Sequence, residues 1–249
     1  MVIGGVVLLV LAVIFFFVAR ANANKLQTLN AVETYDTATL AAIHQRITAA
    51  LGASGFAQPC EVEGVIECAT PLAGPISGKP LVAYTYTVNR EYEERVTMTT
   101  NGKPETRVER RSEQIEHNER RVPFLVRDER GHVQVLPDGA TLEVIETGNR
   151  FVETPQPWTG ATRTLGRREF ERGLEVGAWV FVLGTAIDQG GRLAIARHPV
   201  NSKQTFMISR RSEQELAASA ATWARNMNYA AIAGGLIGFV LVVWGMLAG

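Results

Sequence analysis

Residues able to do chemistry are sparse in this chain. It has two cysteines, Cys60 and Cys68, and four histidines, His44, His117, His132 and His198. Zinc sites draw on closely spaced Cys and His pairs, as in C-x-x-C or H-E-x-x-H, and the chain has none. It also lacks a Walker sequence, G-x-G-x-x-G and G-x-S-x-G. Glu61, Glu63 and Glu67 share one face of a strand-like run, "CEVEGVIEC". They could chelate a cation weakly, but glutamates on the solvent side of an edge strand need no such role. His132 stands near Asp128, which suggests a relay. No nucleophile accompanies them, so a turn histidine is the plainer reading. His44 flanks an apolar helix stripe and reads as a solvated or capped side chain. The sequence therefore offers no catalytic residue, no cofactor motif and no metal site.

The elements that would carry these residues begin and end with apolar runs. A membrane-spanning helix needs roughly 17 to 25 mostly apolar residues. Val2 to Val18 and Ala230 to Leu247 are free of charge, and Tyr229 and Trp244 flank the second run where interfacial aromatics gather. Two spans are expected, residues 1–19 and the end of 212–249, making a multi-pass membrane protein with the lipid bilayer as partner. "VARANA" offers cleavage sites at Ala19/Ala21 and Ala21/Ala23. Yet no Lys or Arg precedes the first run, which exceeds a usual signal core, so retention is expected, with cleavage the alternative. Arg20, Lys25 and Arg225 lie on the inner flanks, and the positive-inside rule leans towards a cytoplasmic middle.

Between the runs lie a linker and amphipathic helix (20–57) and a β-rich stretch (58–211). Leu40, Ile43, Ile47 and Leu51 form the helix stripe, with Asp36 or Thr37 as N-cap and Gly52 and Gly55 as stops. In "CEVEGVIEC" an extended strand would hold the cysteines roughly 26 Å apart, so a disulfide would need a sharp bend near Gly64. A Pro/Gly loop follows, then a strand from Leu81 to Thr100 with one apolar face. Asn101-Gly102 is a strong hairpin signal. The return strand has hardly any apolar face.

Asn89 to Arg121 carries eight basic and eight acidic residues, interleaved, within a chain of 25 basic and 25 acidic residues. That balance argues against nucleic acid and for a solvated ribbon laced with cross-strand pairs. Short strands continue to residue 147. The Pro/Thr/Gly-rich 148–166 reads as an irregular boundary between sub-blocks 58–147 and 167–211, and "GRREFERGL" as a helical turn. Gly177 and Gly184 imply bends, as in a closed or half-closed barrel. Ser212 and Glu215 fit a capping box that opens one continuous helix to Leu247. Leu216, Ala220, Trp223 and Met227 share one of its faces. Gly234 and Gly238 permit close helix approach, either in a homo-oligomer or with the chain's own first span through Gly4 and Gly5. The fold class is α+β, with a β-rich, partly barrel-like antiparallel domain between two transmembrane helices.

"CEVEGVIECATPLAGPISGKPLVAYTYTV", "RRVPFLVRDERGHVQVLPDGATLEV" and "REFERGLEVGAWVFVLGTA", in that order between apolar ends, resemble the GIDE (beside-a-membrane) domain, the membrane module of mitochondrial RING-type E3 ubiquitin ligases. The likeness is to prokaryotic-type members without the RING, because no position after the second span could carry RING ligands. It implies a membrane-tethered module rather than the transferase. The family layout also implies a domain outside the cytoplasm, opposite to the charge lean, and leaves the side open. The expectation is an interaction or sensing module without intrinsic catalysis or cofactor, binding a protein partner through its β domain. The alternative is a component of a RING-type E3 ubiquitin transferase system.

Overall fold

The computed structural model describes residues 33–52, 56–100, 103–211 and 213–247, together with residues 4, 7, 10, 11, 13, 14 and 17. The chain divides into two compact units, residues 35–58 with 62–210, and residues 1–34 with 59–61 and 211–249.

The larger unit opens with α1 (Thr37–Leu51). Asp36 caps it, its Oδ1 accepting from Thr39 N at 2.8 Å, and Gly52 closes it at φ +83°. Twelve strands follow, β1 (Ala57–Glu67), β2 (Leu72–Ala73), β3 (Pro80–Thr100), β4 (Lys103–Arg121), β5 (Phe124–Arg127), β6 (His132–Val135), β7 (Thr141–Glu143), β8 (Ile145–Glu153), β9 (Thr162–Glu175), β10 (Trp179–Asp188), β11 (Leu193–Ala196) and β12 (Met207–Ser209).

Seven of them form a sheet in the order β1-β5-β6-β11-β10-β12-β7, and β1 also pairs with β10. Five strands therefore close into a ring, which removes the exposed edges an open sheet would leave. The closing bonds run from Ile66 N to Ala178 O (2.9 Å) and from Gly177 N to Ile66 O (2.8 Å). Gly177 turns β9 into β10 at φ +82°, a conformation that disfavours a side chain. The ring encloses Val62, Ile66, Val126, Val133, Val135, Ala186 and Ile195, each at most 2 % exposed. This is the barrel-like part the alternating pattern foretells. Cys60 is buried within β1 and Cys68 directly follows it, and no disulfide joins the two.

The second sheet is built on β3 and β9, with β2 and β8 beside them and β4 along β3. At about 3.3 Å per residue, the 21 residues of β3 reach roughly 70 Å. Its root is buried on both faces: Leu81, Val82, Ala83 and Tyr84 are at most 5 % exposed. Further out, Val88 is buried but the other described positions on both faces are intermediate or exposed, so the expected division into one core face and one wet face is not seen. β9 accompanies β3 as far as Glu94, Arg95 N donates to Ala161 O at 2.8 Å, and Val96 to Thr100 pair with β4.

Two expectations are corrected here. The "GRREFERGL" segment is strand β9, not a helical turn, and most of 148–166 belongs to β8 and β9. Both misreadings share a cause. Glu169 and Glu171 point inward on β9, so a strand face that should look apolar carries acids.

The smaller unit contains α2 (Glu213–Leu247), one helix of 35 residues. Ser212, the expected cap, lies outside the described residues. Arg225–Trp244, with mean hydropathy 1.8, is long and apolar enough to cross a membrane, the one such helix among the described residues. Ile232, Leu236, Phe239, Val240 and Trp244 stand exposed along it, whereas Ala231 and Gly238 are buried. Two spans were expected. The first run lies mostly outside the described residues; its described positions are helical, and Val7, Val10, Leu11, Val13, Ile14 and Phe17 are exposed.

Candidate functional site

The β4-β3-β9 face carries a groove of about 410 Å³. Alternate residues of β3 supply its floor, Thr85, Thr87 and Asn89. β9 contributes Phe170 and Arg172, and β4 contributes Gln114 and His117. The register explains the grouping. Thr87 lies opposite both His117 and Phe170, and Thr85 lies opposite Arg172, so these side chains leave the sheet on one side. The Thr87 hydroxyl and His117 Nδ1 are 3.3 Å apart. Asn89 Oδ1 is buried without a hydrogen-bond partner, and Arg172 pairs with no carboxylate among the described residues. A planar cation, an amide, two hydroxyls and a ring edge can together recognise a polar group with anionic character.

The opposite face buries two carboxylates. Glu171 is fully buried, yet every polar demand is met. Its carboxylate accepts from Ile76 N (2.6 Å), Ser77 N (3.1 Å), Ser77 Oγ (2.6 Å) and Thr147 Oγ1 (2.6 Å). Burial pushes its pKa up, but these hydrogen bonds outweigh burial and hold it below the ordinary glutamate value. Glu171 thereby fastens the Pro/Gly loop onto β9. Gly74 has to be glycine there, because a Cβ would lie 2.5 Å from Ser77 Oγ and 2.8 Å from the Glu171 carboxylate. Glu169, two residues earlier, is held by Arg150 (Nε to Oε2 3.1 Å). Burial, then the negative charge of Glu169, pushes the Tyr86 hydroxyl up.

Two more carboxylates clip α1 to the unit. Asp128 accepts from Thr37 N and Thr37 Oγ1, both at 2.7 Å, and from the amides of Arg130 (2.8 Å) and Gly131 (2.9 Å). His44 Nε2 meets Asp188 Oδ2 at 2.7 Å, and Phe56 packs edge-on to its ring at 5.1 Å. The amide of Gly191, then His44, hold the Asp188 carboxyl below its ordinary range.

The expectation of a solvated or capped His44 is thus corrected. The helix turns Thr37, Leu40 and His44 inward; Leu40 is shared with the apolar stripe, but His44 takes the inward place and Ile43 and Ile47 are only half-buried. His132 is exposed, and Asp128 serves α1 instead, so no relay forms. Glu61 is buried rather than on a wet edge, and accepts from Thr34 Oγ1 at 2.8 Å. Glu63 is partly buried, and Glu67 pairs with Arg127. The described residues hold no group of three His, Cys, Asp or Glu suited to a metal.

Charges on the ribbon pair across strands as its interleaving predicts: Arg90 with Glu113 (3.1 Å), Arg111 with Glu94 (3.0 Å) and Arg163 with Glu93 (2.6 Å). Arg95 stacks over Trp158 at 4.0 Å.

These features define a β-rich module with a five-strand ring, a projecting charged ribbon and a long apolar helix. The GIDE family model, described as E3 ubiquitin ligase, matches residues 93–243, more than half of the chain. The chain belongs to the GIDE family. No curated protein and no solved structure matches it.

Proposed function

We propose that this chain is a membrane-anchored interaction or sensing module without chemistry of its own. Arg225–Trp244, with its exposed apolar side chains, is the anchor. Exposed apolar surface of this extent is costly in water and favourable in lipid. The β4-β3-β9 groove is the contact surface. The observation that carries the reading is the pair of uncommitted polar groups there, Arg172 and Asn89 Oδ1, on a sheet whose buried Glu169 and Glu171 are both tied down. Their partner is a protein segment presenting a carboxylate or another anionic acceptor beside an N–H donor. Gly234 and Gly238 offer a second contact, between helices.

The family description favours one alternative, a component of a RING-type E3 ubiquitin transferase system. Two tetrahedral zinc ions need eight ligands, and these 249 residues contain two cysteines and four histidines in all. A RING would have to come from outside these residues. The two readings separate in liposomes supplied with ubiquitin, activating and conjugating enzymes and ATP. The module reading expects no ubiquitin conjugates from this chain alone; conjugates would overturn it.

A further inference from the structure

Among the described residues β4 borders its sheet on one side only, by pairing with β3. Its other edge therefore presents the outward N–H and C=O groups of alternate residues. Residues 104–120 of this edge are exposed almost throughout. Natural edges are usually blunted by charge, and β4 is dense in charge, but the order of its signs is unusual. On one face Glu105, Arg107, Glu109 and Arg111 alternate strictly, − + − +.

We propose that two copies of this chain pair antiparallel through their β4 edges, on a two-fold axis at Val108. In an antiparallel pair, directly opposed residues lie on the same face. An axis at Val108 sets residue 107 against residue 109 of the second copy, and 105 against 111. Each cation then meets an anion, at four opposed pairs in the dimer. Val108, 51 % exposed, meets its own copy on the other face.

The pattern excludes an axis at an odd-numbered residue. Moving the axis one residue sets Arg107 on Arg107 or Glu109 on Glu109, with like charges flanking both. Of the neighbouring even ones, an axis at Arg110 would set Arg110 on Arg110, and one at Thr106 would carry Arg111 opposite the uncharged residue 101, which leaves Val108. The pairs within the chain leave room for the second copy. Arg111 holds Glu94 through Nε at 3.0 Å and Glu109 through Nη2 at 3.3 Å, Arg107 and Glu109 meet at a loose 3.7 Å, and Glu105 has no ion pair among the described residues. A guanidinium has five donors and a carboxylate two oxygens, so each can serve a neighbour on either side. The inference is independent of what the groove binds.

The test uses the full chain in detergent micelles, with its mass followed by light scattering across a dilution series. The wild type is expected to form dimers. Arg107→Glu and Glu109→Arg should each weaken them about tenfold, since two opposed pairs become repulsive. Mixing these two variants should restore association. In the mixed dimer the introduced glutamate faces the introduced arginine, and the retained Glu109 of one copy faces the retained Arg107 of the other. In a background of Cys60→Ser and Cys68→Ser, Val108→Cys should cross-link to itself under mild oxidation, whereas Thr97→Cys, on β3, should not. A monomeric wild type would overturn the proposal. So would dimers indifferent to both reversals, the result expected if the apolar helices alone held the copies together.

Discussion

At the residue scale, the inward polar groups of this fold act mainly as fasteners. Glu171 shows why a buried carboxylate can stay charged: four donors converge on it, and removing their acceptor would leave buried N–H groups unmet. Glu171→Gln turns an NH₂ towards donors, and we expect it to lower unfolding stability by about 2–3 kcal/mol, measured by urea denaturation. The sign of the pH dependence follows. The folded pKa lies below the ordinary 4.5, so the contribution is complete above that value and fades as pH falls through the folded value. Glu171→Gln should therefore flatten the acid limb of the stability curve; an unchanged limb would mean that other carboxylates dominate it. Asp188 has the same sign. His44→Ala should free the middle of α1 and speed hydrogen exchange of its amides, with β1 to β12 little changed.

At the element scale, the Pro/Gly loop and β9 are one structural unit. Gly74→Ala forces a Cβ against Ser77 and Glu171, and should cost about 2 kcal/mol while exposing the loop to proteolysis. Equal stability and unchanged cleavage would show that the loop can shift at little cost. β1, the β3–β4 hairpin and the β10–β11 hairpin were legible in the sequence because alternation and turn residues coincide there. β9 was not. Its inward Glu169 and Glu171 remove the apolar alternation, and their partners, Arg150, Ser77 and Thr147, come from elsewhere in the chain. Pattern alone cannot supply such long-range pairing. His44 was missed for the same reason, since Asp188 lies 144 residues away. The groove was illegible too: it arises from register across three strands, and none of its residues belongs to a motif.

At the scale of the whole molecule, the proposed role rests on an apolar helix as anchor and on the groove as contact surface. If Arg225–Trp244 anchors the chain, the protein should remain in membranes after alkaline carbonate washing. Ile232→Lys with Leu236→Lys should release a share of it, since each charge at a span's centre costs about 3 kcal/mol. The central claim, that the groove is a contact surface, is tested most directly by a photo-crosslinking residue at Gln114 in native membranes. The account predicts a discrete adduct that Arg172→Ala abolishes while leaving the fold intact. No adduct, or one indifferent to Arg172→Ala, would contradict it.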